Sequence, residues 1–248
     1  MDVPIRTFDN RSQWPVVLLC GGKGTRMWPL SEDVPKPLIP IGGKPILWHI
    51  MDRYASYGFT HFIVCLGHMK EKIQTYFSDP ANVSASWKIQ LVDTGEESTK
   101  SERIAQVRHL ITTDKFLLSY GDDLSSVDIN NVVDTHLSRG KMVTLTSVPL
   151  HSEFGVLELD EGHHVRSFRE KPRLSEYWIN GGFYVCDKNV LSNLEGGEFE
   201  DVVLKKLAAA GEVTAYKFEG FWKCMNTSKE AIEFNKMWEN GNVPWKKG

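Results

Sequence analysis

Several kinds of protein are excluded by what this chain lacks. It has four cysteines in 248 residues, Cys20, Cys65, Cys186 and Cys224, and they form no Cys-x-x-Cys pair and no Cys/His cluster with zinc spacing. They fall mostly inside apolar segments and read as buried free thiols, which fits a reducing, cytoplasmic setting. No block of lysine and arginine occurs and the formal net charge is −3, so neither nucleic acid nor an anionic membrane is an expected partner. No apolar run is long enough to span a bilayer, and Met1 to Trp14 has no signal-peptide apolar core. Two familiar phosphate loops are missing as well. The chain has no Gly-x-x-x-x-Gly-Lys-Ser/Thr string, and Met27 stands where a dinucleotide fingerprint needs its third glycine.

What is present is a different glycine loop. Val16-Val17-Leu18-Leu19 reads as a buried strand and runs into Leu19-Cys20-Gly21-Gly22-Lys23-Gly24-Thr25-Arg26, with Pro35-Lys36-Pro37-Leu38 ten residues on. Glycines let the backbone turn sharply with amide N–H groups free to face a polyanion. Arg26 and Lys36 then bring two cations to the same place, as a nucleoside triphosphate requires. A glycine loop alone is also a common tight turn; the added cations favour the phosphate reading.

Apolar runs alternate with amphipathic stretches through the first half. Residues Pro45 to Tyr57, Lys70 to Phe77 and Glu102 to Ile111 have helical spacing, and runs at 62–66, 89–92 and 116–120 read as strands. Repeated strand–helix units with continuous apolar strands imply a mostly parallel sheet covered on both faces. Ligands of such sheets sit beyond the carboxyl ends of the strands, where the glycine loop and Gly121-Asp122 both fall. After Met142 the pattern becomes β-rich: Val156–Leu159 and His164–Phe168 flank Asp160-Glu161-Gly162 as a hairpin. A strand is expected over Gly181 to Cys186, and helices near Glu200 to Ala209 and Glu230 to Asn240. The expected fold is α/β, a Rossmann-like three-layer sandwich with a mostly parallel central sheet and a smaller β-rich portion, read as a lid, to which the resemblance described next assigns the sugar. Residues 1–15 read as an N-terminal extension and 16–248 as one domain, its nucleotide part ending near 140 and its C-terminal part, the sugar-binding part by that same resemblance, running from 141.

Residues Val17 to Leu47 resemble the signature of the sugar-phosphate nucleotidylyltransferases, Gly-Gly-x-Gly-Thr-Arg followed by Pro-Lys-Pro. The likeness extends over nearly the whole chain. Gly42 to Met51, Val92-Asp93-Thr94-Gly95-Glu96, Tyr120-Gly121-Asp122, Phe154-Gly155, Glu170-Lys171-Pro172, Trp178 to Phe183, Glu219 to Trp222 and Pro244-Trp245-Lys246 are similar to the glucose-1-phosphate cytidylyltransferase branch. The resemblance implies a reaction of CTP with a sugar 1-phosphate, α-D-glucose 1-phosphate above all, giving a CDP-sugar and pyrophosphate. It assigns the outer phosphates to Arg26, the α-phosphate to Lys36 and the sugar phosphate to Lys171. The nucleotide falls to Leu19, Gly21, Gly22, Gly24, Thr25, Arg103 and Gly121, and the sugar hydroxyls to Glu170, Asn180 and Gly181. Mg²⁺ is the implied cofactor, with Asp122 as ligand, although neighbouring Asp123 is not separated from it by sequence. Relatives often form homo-oligomers.

Two departures open alternatives. The family's late Met-Asp-Thr is here Met225-Asn226-Thr227, so Asn226 brings an amide oxygen without charge to the second metal position. Ser101 and Glu102 replace two glycines before Arg103, which weakens the cytosine assignment. Another nucleotide or phosphorylated substrate, or a catalytically weak nucleotide-sugar-binding regulatory paralogue, are the competing readings. Trp178 and Trp222 are candidates for a pocket wall or for core. His49, His68 and His136 lack evident partners and read as surface or core residues rather than catalysts.

Overall fold

In the computed structural model, which describes residues 10–247, the chain builds one large sheet with helices on both faces. Most of the 1–15 extension lies outside the described residues; its end forms a short turn at Asn10–Gln13, and Trp14 is buried in the core. The strands in chain order are β1 Val16–Cys20, the two-residue β2 Pro40–Ile41 and β3 Lys44–Pro45, β4 His61–Leu66, β5 Lys88–Asp93, β6 Lys115–Tyr120, β7 Asp123–Ser125, β8 Val143–His151, β9 Val156–Leu159, β10 Val165–Arg169, β11 Arg173–Asn180, β12 Tyr184–Asp187, β13 Val213–Lys217 and β14 Trp222–Cys224. The helices are α1 Ile46–Ala55, α2 Lys70–Ser78, α3 Lys100–Val107, α4 Ile129–Arg139, α5 Lys205–Ala209 and α6 Ser228–Glu239.

The main sheet has the order β11-β8-β12-β6-β1-β4-β5, with β13 paired to β8. Strands β6, β1, β4 and β5 are mutually parallel; β12 runs against β6 and β8, and β11 against β8. The sheet is therefore mostly parallel, and β12 stitches the first half of the chain to the second. Alternation along β1 explains the layering, because successive side chains point to opposite faces. Val16, Leu18 and Cys20 enter the core beneath α1, α2 and α6, whereas Val17 and Leu19 enter the core that α3 and the 199–209 segment cover. Burying both faces is what requires the unbroken apolar run. None of the described helices is long and apolar enough to cross a membrane.

Three expectations need correction. The strand assigned to Gly181–Cys186 begins only at Tyr184, because Gly182 (φ 70°) and Phe183 (φ 48°) take left-handed conformations that no strand accommodates. The helix assigned to Glu102–Ile111 begins at Lys100 and ends at Val107 in a 3₁₀ turn. Thr99 is its N-cap: the Thr99 hydroxyl accepts from the Glu102 N–H, and the Glu102 carboxylate accepts from the Thr99 N–H at 2.7 Å. The histidines do have partners. His49 is buried against the Ile41 carbonyl at 2.8 Å, His136 shares a hydrogen bond with Thr144 Oγ1 at 2.9 Å, and His68 meets Glu96 at 2.9 Å.

Candidate active site

A cavity of about 720 Å³ opens at the carboxyl ends of β1 and β6, where the parallel sheet gives way to loops. The glycine loop forms one lip. Gly21 is glycine for a steric reason: a Cβ there would lie 2.0 Å from a guanidinium nitrogen of Arg103. Gly24 has φ 62°, the left-handed conformation that turns the chain into the Thr25–Met27 turn. That turn delivers Arg26, and the Lys36–Leu38 turn, bracketed by Pro35 and Pro37, delivers Lys36.

These cations meet oxygens from distant parts of the chain. Lys36 Nζ donates to Asp122 Oδ2 at 2.5 Å and to Asn226 Oδ1 at 3.4 Å, and Arg26 Nη2 donates to the same Asn226 oxygen at 3.2 Å. The juxtaposition is built by the ladder of β7 with β14. Cys224 pairs with Asp123, and the Met225 N–H donates to the Asp122 carbonyl at 2.9 Å. Asp122 and Asn226, over a hundred residues apart, therefore sit side by side. Ligand atoms of Asp122, Asp123 and Cys224 lie within 4.8 Å of one another. Burial, and then the charge of Asp122, push the Asp123 carboxyl up to about 8, and burial likewise raises the Cys224 thiol.

Arg103 sits under this lip rather than facing into open space. It is 5% exposed, and its guanidinium donates to the carbonyls of Gly21, Leu66, Gly95 and Glu96 and to Thr94 Oγ1, at 2.7–3.2 Å. It ties the glycine loop to the Gly95-Glu96 loop across the cavity floor. The Ser101 and Glu102 substitutions have a local reason: Ser101 is buried, and Glu102 turns outward as half of the capping box.

Leu19, Gly21, Gly22, Gly24, Thr25, Arg26, Lys36, Arg103, Gly121, Asp122, Asn180 and Asn226 all line the cavity, so twelve of the residues singled out from sequence come together. Glu170, Lys171 and Gly181 are not in its lining. Lys171 is exposed, with φ 44°, just past β10; Gly181 stands behind the wall, its carbonyl accepting from Trp222 Nε1 at 2.9 Å. Trp222 lines the cavity, whereas Trp178 packs under Lys217, whose Nζ is 4.6 Å from the ring.

A polar cluster at the other end escaped the sequence reading. Lys100 Nζ donates to both Glu200 oxygens at 2.9 Å and lies 3.3 Å from Glu198. The Tyr120 hydroxyl donates to Glu200 and shares a hydrogen bond with Tyr184 at 2.6 Å, and Asn180 donates to Tyr184. Burial works to raise Glu200, but bonds from Tyr120 and Lys100 outweigh it and hold the carboxylate below its ordinary range. Glu200 lies in a π-helical turn, Phe199–Leu204, which has no periodic signature in sequence. Lys100 was findable, because Thr99-x-x-Glu102 is a capping-box pattern that places it on the first helical turn.

The cavity thus has a glycine loop, two cations and a carboxylate together at one lip. The family model described as nucleotidyl transferase matches residues 15–240. The chain belongs to the nucleotidyl transferase family. Among curated members, it is 40% identical over 251 aligned residues to a probable glucose-1-phosphate cytidylyltransferase of Bacillus subtilis, covering 93% of this chain and 98% of the relative. It is 37% identical to a glucose-1-phosphate cytidylyltransferase of Salmonella typhi, with the same coverage. Solved structures share the fold. HddC from Yersinia pseudotuberculosis superposes with TM-score 0.70 at 24% identity, covering 91% of this chain and 99% of that one. A putative glucose-1-phosphate thymidylyltransferase from Bacillus anthracis superposes with TM-score 0.69 at 18% identity, covering 90% and 94%.

Proposed function

We propose that this nucleotidyl transferase joins CTP to a sugar 1-phosphate, α-D-glucose 1-phosphate first among candidates, giving a CDP-sugar and pyrophosphate. The observation that carries the reading is the position of Lys36, held between Asp122 and Asn226 at the lip of the glycine loop beside Arg26. The two cytidylyltransferases at 37–40% identity over nearly their whole length support the choice of nucleotide and sugar.

A sugar-phosphate oxygen attacks the α-phosphorus, and the bond from that phosphorus to the pyrophosphate oxygen breaks in line with it. The nucleophile is ionised at neutral pH, so no side chain has to remove a proton. Charge neutralisation and alignment carry the step. Lys36 would exchange Asp122 for an α-phosphate oxygen, and Arg26 would hold the outer phosphates. A cation about 4 Å from one phosphate charge is worth roughly 4 kcal/mol at an effective dielectric near 20. Amides of Gly21 to Thr25 would cradle the triphosphate, and Asn180, with Glu200 beyond it, would sort sugar hydroxyls by hydrogen bonds. Lys171 would reach the sugar phosphate only by a bend of the β9–β10 ribbon over the cavity.

The donor set fits a hard divalent cation: two carboxylates and an amide oxygen lie together at the lip. Asp122, beside Asn226, would hold Mg²⁺, which would supply positive charge against that developing on the phosphate oxygens. The test is pyrophosphate release with glucose 1-phosphate and Mg²⁺, offering CTP, UTP, dTTP, ATP and GTP separately. Release with CTP is expected. Release with another nucleotide alone overturns the base assignment, and silence with all five, across a panel of sugar 1-phosphates, overturns the transfer reaction.

A further inference from the structure

The polar cluster on the far wall of the cavity has a direction, because its hydroxyl protons can be assigned by counting. The Tyr120 hydroxyl has a single proton and donates it to Glu200. Its 2.6 Å contact with Tyr184 therefore runs the other way, the Tyr184 hydroxyl donating to the Tyr120 oxygen. That uses the Tyr184 proton, and Asn180 Nδ2 donates in turn to the Tyr184 oxygen. The Gly182 N–H, donating to Asn180 Oδ1 at 3.0 Å, fixes which way that amide faces. Burial, above all, keeps both phenols protonated. Each bond of the chain thus points from Asn180 towards Glu200, where Lys100 donates from the other side.

The wall therefore ends in acceptors. A carboxylate offers about four lone-pair sites. Oε1 of Glu200 accepts from Lys100 and Tyr120, whereas Oε2 accepts from Lys100 alone and keeps capacity for another donor. Glu198, 3.3 Å from Lys100 and also in the cavity lining, adds more acceptor oxygens. Lys100 lets the two carboxylates share this wall. Its ammonium lies 5.2 Å from the Tyr120 ring as well, and the capping box at Thr99 fixes the helical turn from which it reaches. A hydroxyl that enters here has to donate.

With its 1-phosphate directed at Lys36, a pyranose turns C3 and C4, the ring edge remote from C1, towards this wall. We infer that Lys100 sets specificity at the sugar end: by engaging both oxygens of Glu200 it makes the wall an acceptor that selects a pyranose 1-phosphate with a free hydroxyl at C3 or C4. This rests on the reading of the second substrate as a sugar 1-phosphate. Glu200 meets the hydroxyl, and Lys100 is a positioning residue behind it.

The experiment compares glucose 1-phosphate with its 3-deoxy-3-fluoro and 4-deoxy-4-fluoro analogues, since fluorine donates no hydrogen bond. Pyrophosphate release is followed for the native chain, Glu200→Gln, Lys100→Met and Lys100→Arg, with thermal unfolding to check each fold and Lys100→Gln in place of Lys100→Met if the latter is unfolded. In the native chain kcat/KM should fall about a hundredfold or more for at least one analogue, because a site built to bond a hydroxyl is left with an unpaired group. Glu200→Gln puts a donor where the wall accepts and should narrow that ratio at least tenfold. Lys100→Met should raise KM for glucose 1-phosphate about tenfold with little change in KM for CTP. Lys100→Arg, which can still hold both carboxylate oxygens, should restore it. If the native chain uses both analogues as well as glucose 1-phosphate, if Glu200→Gln discriminates as sharply as native, or if Lys100→Met behaves as native, the inference falls and the transfer reading stands. If the native chain releases no pyrophosphate with any sugar 1-phosphate, the transfer reading falls and the inference with it.

Discussion

Lys36 shows how much of the site rests on single side chains. Its ammonium bonds two acceptors from opposite walls, and the flanking prolines fix the backbone that carries it. Lys36→Met keeps the apolar stem and removes the charge. Turnover should fall at least a hundredfold, the scale of removing one transition-state donor, with a smaller change in KM for nucleotide; steady-state kinetics at saturating sugar phosphate would reveal it. A near-native rate would take Lys36 out of the chemistry. The sequence already pointed to Lys36, Arg26 and Asp122, because a proline-bracketed lysine and a glycine–aspartate after a buried strand are local patterns. It did not point to Glu200 or to the packing of Arg103, since both depend on which loops meet across the cavity.

At the scale of elements, α3 is the clearest case of local sequence setting the geometry of a distant loop. Its capping box starts the helix at Lys100, which places Arg103 one turn in, under the glycine loop. Five hydrogen bonds then hold two loops at a fixed separation. Arg103→Lys keeps one charge but cannot satisfy five acceptors spread over a planar fork. Stability should drop by on the order of 3 kcal/mol, as for a buried charge network broken on one side, and KM for nucleotide should rise more than kcat falls. Urea unfolding and initial rates measure the two parts. Unchanged stability with raised KM would mean instead that Arg103 touches nucleotide directly. The strands of the sheet were legible as apolar runs and α1 and α2 as periodic ones. The late start of β12 was not, because Gly181-Gly182-Phe183 reads as apolar continuation until its positive φ values are seen.

Across the whole molecule, the buried histidines make stability depend on acid. Burial, and then the nearby charge of Lys115, lower His136 to about 4, whereas the unfolded chain titrates near its ordinary value of about 6.5. The unfolded state therefore takes up the proton first as pH falls. Stability is complete above about pH 6.5 and is lost between there and about 4, by on the order of 3 kcal/mol. His49, also lowered chiefly by burial, adds in the same direction. Unfolding midpoints measured from pH 7.5 to 4.5 should fall steadily, and His136→Gln should flatten much of that slope. A slope identical to native would place the acid sensitivity elsewhere.

The pairing of β7 with β14 has a consequence for how the protein is made. The glycine loop, Lys36 and the aspartate pair leave the ribosome early, together with the parallel strands β1, β4 and β6. Trp222, Cys224 and Asn226 follow about a hundred residues later. For that interval the nascent chain holds Arg26, Lys36 and two neighbouring acids with one wall of the cavity missing. A premature stop between residues 218 and 221 would release a chain that holds every strand of the main sheet but lacks β14 and the wall that carries Asn226.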